Sequence, residues 1–172
     1  MRITVETGDV LKVTADVLIS TANPWLNLSG GVNGAILAAC GPAIQEELYA
    51  HLKQLGVAAV RAGTIVRSSP GLLPFQSILH AVAIDPFYDS SIALMRSTFA
   101  NALVIAIDLG AKSVASPTLA TGYGRMSIED FGHAIAPLTN DPRFAGFVVT
   151  IVVRSAENAK RLTDSLVDAG KP

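Results

Sequence analysis

Along the chain, short apolar runs alternate with segments in which apolar residues recur at helical spacing, and polar, glycine-rich or proline-rich stretches separate them. The runs 3–6, 17–20, 63–68, 78–84, 113–117 and 146–153 are each bounded by Gly, Pro, Asp or Ser and predict strands, with 78–84 apolar enough for burial on both faces. Helical spacing fits 31–40, 42–55, with Pro42 at a first helical position, and the long apolar segment 90–109. Ser127 followed by Asp130 reads as a capping box that opens another helix. Ser155 opens the last helix, which runs towards Leu166 with Lys160 and Arg161 on an exposed face. The segments 70–74 and 138–143 read as turn-rich connections, and 170–172 as a short polar tail. Strand and helix alternate from end to end, so the expected class is α/β with parallel strands and crossover helices.

Composition narrows this picture. With 172 residues, half of them hydrophobic and 16% charged, the chain suits one domain, 1–172, and excludes a disordered protein. A net charge of −1 argues against a broad footprint for long nucleic acid. The N-terminus shows no charged region followed by an apolar one, and no run is long enough to cross a bilayer, so a cytoplasmic protein without membrane contact is expected. The one cysteine, Cys40, sits in an apolar helical stretch and reads as a small buried hydrophobe; with three scattered histidines it gives no metal-ligand spacing.

The candidate chemistry lies in two loops. The run 17–19 empties into a polar loop that ends at Gly30 and Gly31, at the mouth of the predicted helix 31–40, with the amides Asn23 and Asn33 on either side. Glycines lack Cβ, so an anion can approach their N–H groups closely, and the helix start favours it. A second glycine-rich turn, 120–125, also follows an apolar run. Ligands of open α/β sheets bind outside the carboxyl ends of strands, so the two loops should converge on one cleft and take a ligand with more than one phosphate. Neither a dinucleotide fingerprint nor a P-loop motif occurs, and no cofactor is expected.

Five stretches, in order, carry a resemblance. Thr7-Gly-Asp-Val10 looks like a first-strand G-D-[IV], and Asp16 to Asn23 looks like D-x-[IV]-V-N-A-A-N. Ser29 to Ile36 resembles G-G-G-V-x-x-A-I, Ile78 to Val82 resembles I-I-H-x-V, and Pro117 to Gly124 resembles P-A-[IL]-x-T-G-x-x-G one residue shortened. Together they resemble the macrodomain family over most of the chain. The resemblance implies a three-layer α/β/α fold with a mixed, mostly parallel central sheet, and ADP-ribose or an ADP-ribosylated protein as partner. It implies that Asp9 accepts from the adenine amine, that Gly30, Gly31 and Val32 serve one phosphate, and that Thr121, Gly122, Tyr123 and Gly124 serve the other. Asn23 would donate to and accept from the distal ribose, Tyr123 would pack against it, and Val10 and Ala22 complete the binding set. The plainer alternatives are a turn Asp at position 9, tight turns at the glycines and an Asn23 that only caps its turn.

Departures from the family pattern bear on activity. The first Asn of N-A-A-N is Ser20 here. In the subgroup that hydrolyses protein-linked ADP-ribose an Asp helps activate water where this chain has Asn33, and a neutral amide orients water without taking its proton. Asn23 and Asn33 are therefore the catalytic candidates of an enzyme whose hydrolytic route is in question. Arg154 stands where many members stack an aromatic on adenine, and a guanidinium can stack on a purine. Arg125, next to the second loop, is expected to pair with a phosphate. His80 reads as a core histidine, and Trp25 as an anchor in the core, with a cover over the loop as the alternative. The reading is a binder of ADP-ribose or ADP-ribosylated ligands. An ADP-ribosyl hydrolase is the alternative, and a nucleotide or RNA-end binder the weaker one.

Overall fold

Val17, Leu18, Ile19 and Ser20 are all buried, because the strand they form is covered on both faces. The computed structural model describes residues 1–168 and contains the strands β1 (Arg2–Thr7), β2 (Val17–Thr21), β3 (Ile65–Ser68), β4 (Ser77–Ala81), β5 (Ser113–Ser116) and β6 (Val148–Val153). They form one sheet in the order β1-β6-β5-β2-β4-β3, parallel throughout except where β3 pairs with β4. The helices are α1 (Gly31–Cys40), α2 (Ala43–Leu55), α3 (Ile92–Asp108), α4 (Ile128–Ile135) and α5 (Ala156–Asp168).

Alternation along the strands assigns each helix to a face. Val17, Ile19, Leu79, Val149 and Ile151 pack with Met95, Phe99 and Leu103 of α3, Phe131 of α4 and Leu162 of α5. Leu18, Ile78, Ala115 and Val152 point the other way, onto Ile36 of α1 and Ile44, Leu48 and Leu52 of α2. The three layers match the expected α/β/α fold. Phe99 and Phe131 meet edge to face at 5.7 Å, and burial of each ring contributes about 2–3 kcal/mol.

Local signals explain where the elements begin. Ser127 Oγ accepts from Asp130 N at 3.0 Å while Asp130 Oδ2 accepts from Ser127 N at 2.9 Å, the reciprocal capping box that the spacing predicts. At the far end of the sheet Asp16 Oδ2 accepts from Lys112 N at 2.8 Å and Ser113 N at 3.0 Å, tying the start of β2 to β5. Those amides hold the Asp16 carboxyl below the usual carboxylate range.

Some boundaries differ from expectation. The strand within the run 78–84 ends at Ala81, whose carbonyl accepts from Ala22 N just past β2, while Val82 still exchanges hydrogen bonds with Gly63 and Thr64 ahead of β3. Pro42 is the N-cap of α2 with helical dihedrals, and 138–143 coils into parts of two 3-10 turns, Ala136–Asn140 and Pro142–Phe144. The expected tail, 170–172, lies outside the described residues.

This topology creates a crevice. Adjacent parallel strands β2 and β5 send their chains to opposite faces, β2 to α1 and β5 to α4, so the loops part at their carboxyl ends.

Candidate functional site

Along the carboxyl edge of the sheet, β1, β6, β5, β2 and β4 deliver five segments in spatial order: Asp9, Arg154, the loop 117–124, the loop 22–30 and the turn 85–89. Residues from all five line one cleft of about 840 Å³. Its lining includes Asp9, Val10, Ala22, Asn23, Gly30, Gly31, Val32, Asn33, Thr121, Gly122, Tyr123, Gly124 and Arg154, so the fold gathers these candidates from distant parts of the sequence.

The first loop ends in a helix start without a side-chain cap. Gly30 is the N-cap of α1 with φ 65° and ψ 166°, a conformation reserved almost wholly for glycine, and among the described residues no side chain caps the first turn. The first amides of α1 therefore face the cleft without an intrahelical acceptor, and α3 and α4 differ in being capped by Ser91 and Ser127. Across the cleft, the N–H groups of Thr121, Gly122, Tyr123 and Gly124 make no hydrogen bond among the described residues. The turn is shaped by Thr118 and Thr121, whose hydroxyls meet at 2.6 Å. A Cβ at Gly124 would overlap the Ala120 carbonyl, so only glycine fits there. Two groups of unpaired amides thus face each other across the cleft, suited to two neighbouring anionic groups.

The side chains refine the expectations. Asp9 is exposed and uses Oδ1 to accept from Leu11 N at 3.0 Å, which starts the 3-10 turn Val10–Lys12; Oδ2 has no partner among the described residues. Asn23 is largely spent on its own loop: Oδ1 accepts from Trp25 N at 3.1 Å and Asn27 N at 3.2 Å, and Nδ2 donates to Asn27 O at 2.9 Å. Among the described residues these bonds leave Asn23 one N–H without a partner, the donating half of the expected ribose contact. Asn33 is buried in the first turn of α1, where Oδ1 accepts from Ser20 Oγ at 2.9 Å, and its Nδ2 has no partner among the described residues.

Two positions differ from expectation. Arg125 is not among the residues that line the cleft: its guanidinium donates to Asp89 at 3.2 Å and is 75% exposed. Trp25 is not a core anchor, because Leu26 and Leu28 fill the core beside it and leave its ring 38% exposed against Tyr88. His80 is the core histidine expected, fully buried on β4, with Nε2 2.8 Å from Ser68 Oγ and burial pushing its pKa down to about 4. Tyr88 lines the cleft and was missed; the paired Asp85 and Asp89 just after an apolar run were the available turn signal.

With this geometry in hand, similarity to known proteins can be placed. A model of the Macro domain matches residues 19–135, more than half of the chain. The chain belongs to the Macro domain family. Among curated relatives, a protein named O-acetyl-ADP-ribose deacetylase from Citrobacter rodentium is 34% identical over 72% of this chain and 70% of its own length. An uncharacterized protein of Pyrobaculum aerophilum is also 34% identical, over 67% of this chain and 62% of its own length. Among solved structures, an Oceanobacillus iheyensis macrodomain variant with ADPR superposes with a TM-score of 0.86 at 22% identity, covering 96% of this chain and 92% of that one. The Macro domain match accounts for both glycine loops, and the superposition for the sheet that carries them.

Proposed function

We propose that this macrodomain binds ADP-ribose, free or linked to protein, and does not turn it over by a carboxylate-assisted route. The observation that carries the reading is the pair of unpaired amide groups at Gly30–Val32 and Thr121–Gly124, set at the ends of adjacent strands that leave to opposite faces. A diphosphate spans such a pair, one phosphate on each loop. The order of strands supports placing adenine against Asp9 and Arg154, and the distal ribose towards Asn23, Asn33 and Tyr123. Asp9 Oδ2 accepts from the adenine amine, and Arg154 stacks on the ring. The solved Oceanobacillus structures with ADPR and with ADP support this ligand class. As part of the same proposal the protein works in the cytoplasm; among the described residues no helix is long and apolar enough to cross a membrane, and Cys40 is a free thiol.

Asn33 separates binding from hydrolysis. A carboxylate there could take a proton from water, but an amide cannot, and its carbonyl is already held by Ser20. The relative named O-acetyl-ADP-ribose deacetylase supports a second reading, hydrolysis of an ADP-ribose ester, in which the Asn33 Nδ2–H and a ligand phosphate hold the water. Incubation with O-acetyl-ADP-ribose and with an ADP-ribosylated protein decides between them. The binding reading expects both to be retained intact, whereas release of free ADP-ribose above the protein-free rate establishes the enzyme.

A further inference from the structure

Resting on that reading of the cleft, we propose that the 85–89 turn is a specificity element at the distal end, where Tyr88 takes an uncharged planar ring carried on the distal ribose of the ligand. The strand order puts it there. β4 lies beside β2 on the side away from β1, so its exit faces the end of the cleft opposite Asp9 and Arg154. Tyr88 lines that end and stands between two other rings, with centroids 6.2 Å from Trp25 and 6.4 Å from Tyr123, both tilted contacts. Trp25 and Tyr88 each remain 38% exposed and Tyr123 72%; Tyr88 and Tyr123 line the cleft as an open aromatic wall, and Trp25 packs against Tyr88 from outside the lining.

The turn is built to hold Tyr88 in this position. Its φ is 65°, a left-handed conformation that a tyrosine seldom adopts. Asp85 enforces it: Oδ1 accepts from Phe87 N at 2.8 Å and Asp89 N at 2.9 Å, and the Asp85 carbonyl accepts from Tyr88 N at 3.0 Å. Arg125 then ties Asp89 to the second phosphate loop, the loop that carries Tyr123.

Charge selects the occupant. At the turn Asp85 Oδ1 accepts from backbone amides and Asp89 pairs with Arg125, so two carboxylates stand beside one guanidinium that is already paired, while the charged residues lining the cleft, Asp9 and Arg154, lie at the other end. A phosphate or carboxylate on the distal ribose meets net negative charge there. A neutral heterocycle meets ring faces, and base–aromatic stacking is strong enough to discriminate between ligands.

Diadenosine diphosphate is the probe, since it is ADP-ribose with a second adenine on the distal ribose. In calorimetric titrations it is expected to bind at least as tightly as ADP-ribose, and ADP-ribose carrying a distal phosphate no more tightly than ADP-ribose. Tyr88→Gly removes the ring and suits the positive φ, so the turn keeps its shape. It is expected to weaken diadenosine diphosphate about tenfold and ADP-ribose less than about twofold, with Tyr88→Phe keeping the wild-type preference. Diadenosine diphosphate binding tenfold weaker than ADP-ribose, or equal losses for both ligands in Tyr88→Gly, overturns the proposal while leaving the cleft as an ADP-ribose site. Failure of ADP-ribose itself to bind removes the cleft reading and this proposal with it.

Discussion

The Tyr123 hydroxyl of the second phosphate loop lies directly against Gly30 of the first: a Cβ added to Gly30 would stand 2.5 Å from it. The two loops are therefore in contact over the distal part of the cleft, and the absence of a side chain at residue 30 permits that contact. Gly30→Ala should cost affinity for ADP-ribose about tenfold, through backbone strain at φ 65° and displacement of Tyr123. Adding Tyr123→Phe removes the atom at 2.5 Å and leaves the ring carbon at 3.6 Å, an ordinary contact. The double variant should recover part of the loss, and strictly additive effects in the cycle would show that the two residues do not touch.

Ser20 and Asn33 are coupled differently, by a buried hydrogen bond of 2.9 Å. Ser20→Ala leaves the Asn33 carbonyl without its donor, which should lower unfolding stability by about 1–3 kcal/mol in urea titrations. Asn33→Asp restores a carboxylate beside the same hydroxyl. Any basal release of ADP-ribose from an ester should then rise, and an unchanged rate contradicts the role given to this position.

Burial of His80 makes stability depend on pH. Its pKa is pushed from 6.5 to about 4 in the folded chain, so between these values the unfolded chain binds the extra proton. Stability is fully present above pH 6.5 and declines as pH falls towards 4. Moving from pH 7.5 to 5 should remove about 2 kcal/mol through this residue, and His80→Leu should flatten that part of the profile. An equally steep profile in His80→Leu assigns the loss elsewhere.

Much of the fold was legible in the sequence because period and punctuation agree. The boundaries of α1 and the Ser127 capping box follow from local chemistry, and the glycine loops follow from residues that have few other uses at a strand-to-helix junction. What could not be read was partnership between distant residues. Arg125 looked free in sequence because Asp89 lies on another turn, and Trp25 looked like core because nothing local reveals that Leu26 and Leu28 fill that space. Asn23 shows the reverse: its turn-capping bonds are local, and the motif drew attention to the ligand instead. Tyr88 had only a local turn signal in the sequence, Asp85 and Asp89 on either side of it; that this turn meets the cleft depends on β4 lying beside β2, a long-range pairing with no signature in either strand.

Calorimetric titration with ADP-ribose, ADP and AMP, on the wild type and on Asp9→Ala, tests the central claim most directly. The account predicts micromolar binding of ADP-ribose, weaker binding of ADP, weaker still of AMP, and a loss of about tenfold for each adenine ligand in Asp9→Ala. Absence of binding by all three at millimolar concentration, roughly 4 kcal/mol of affinity, contradicts it.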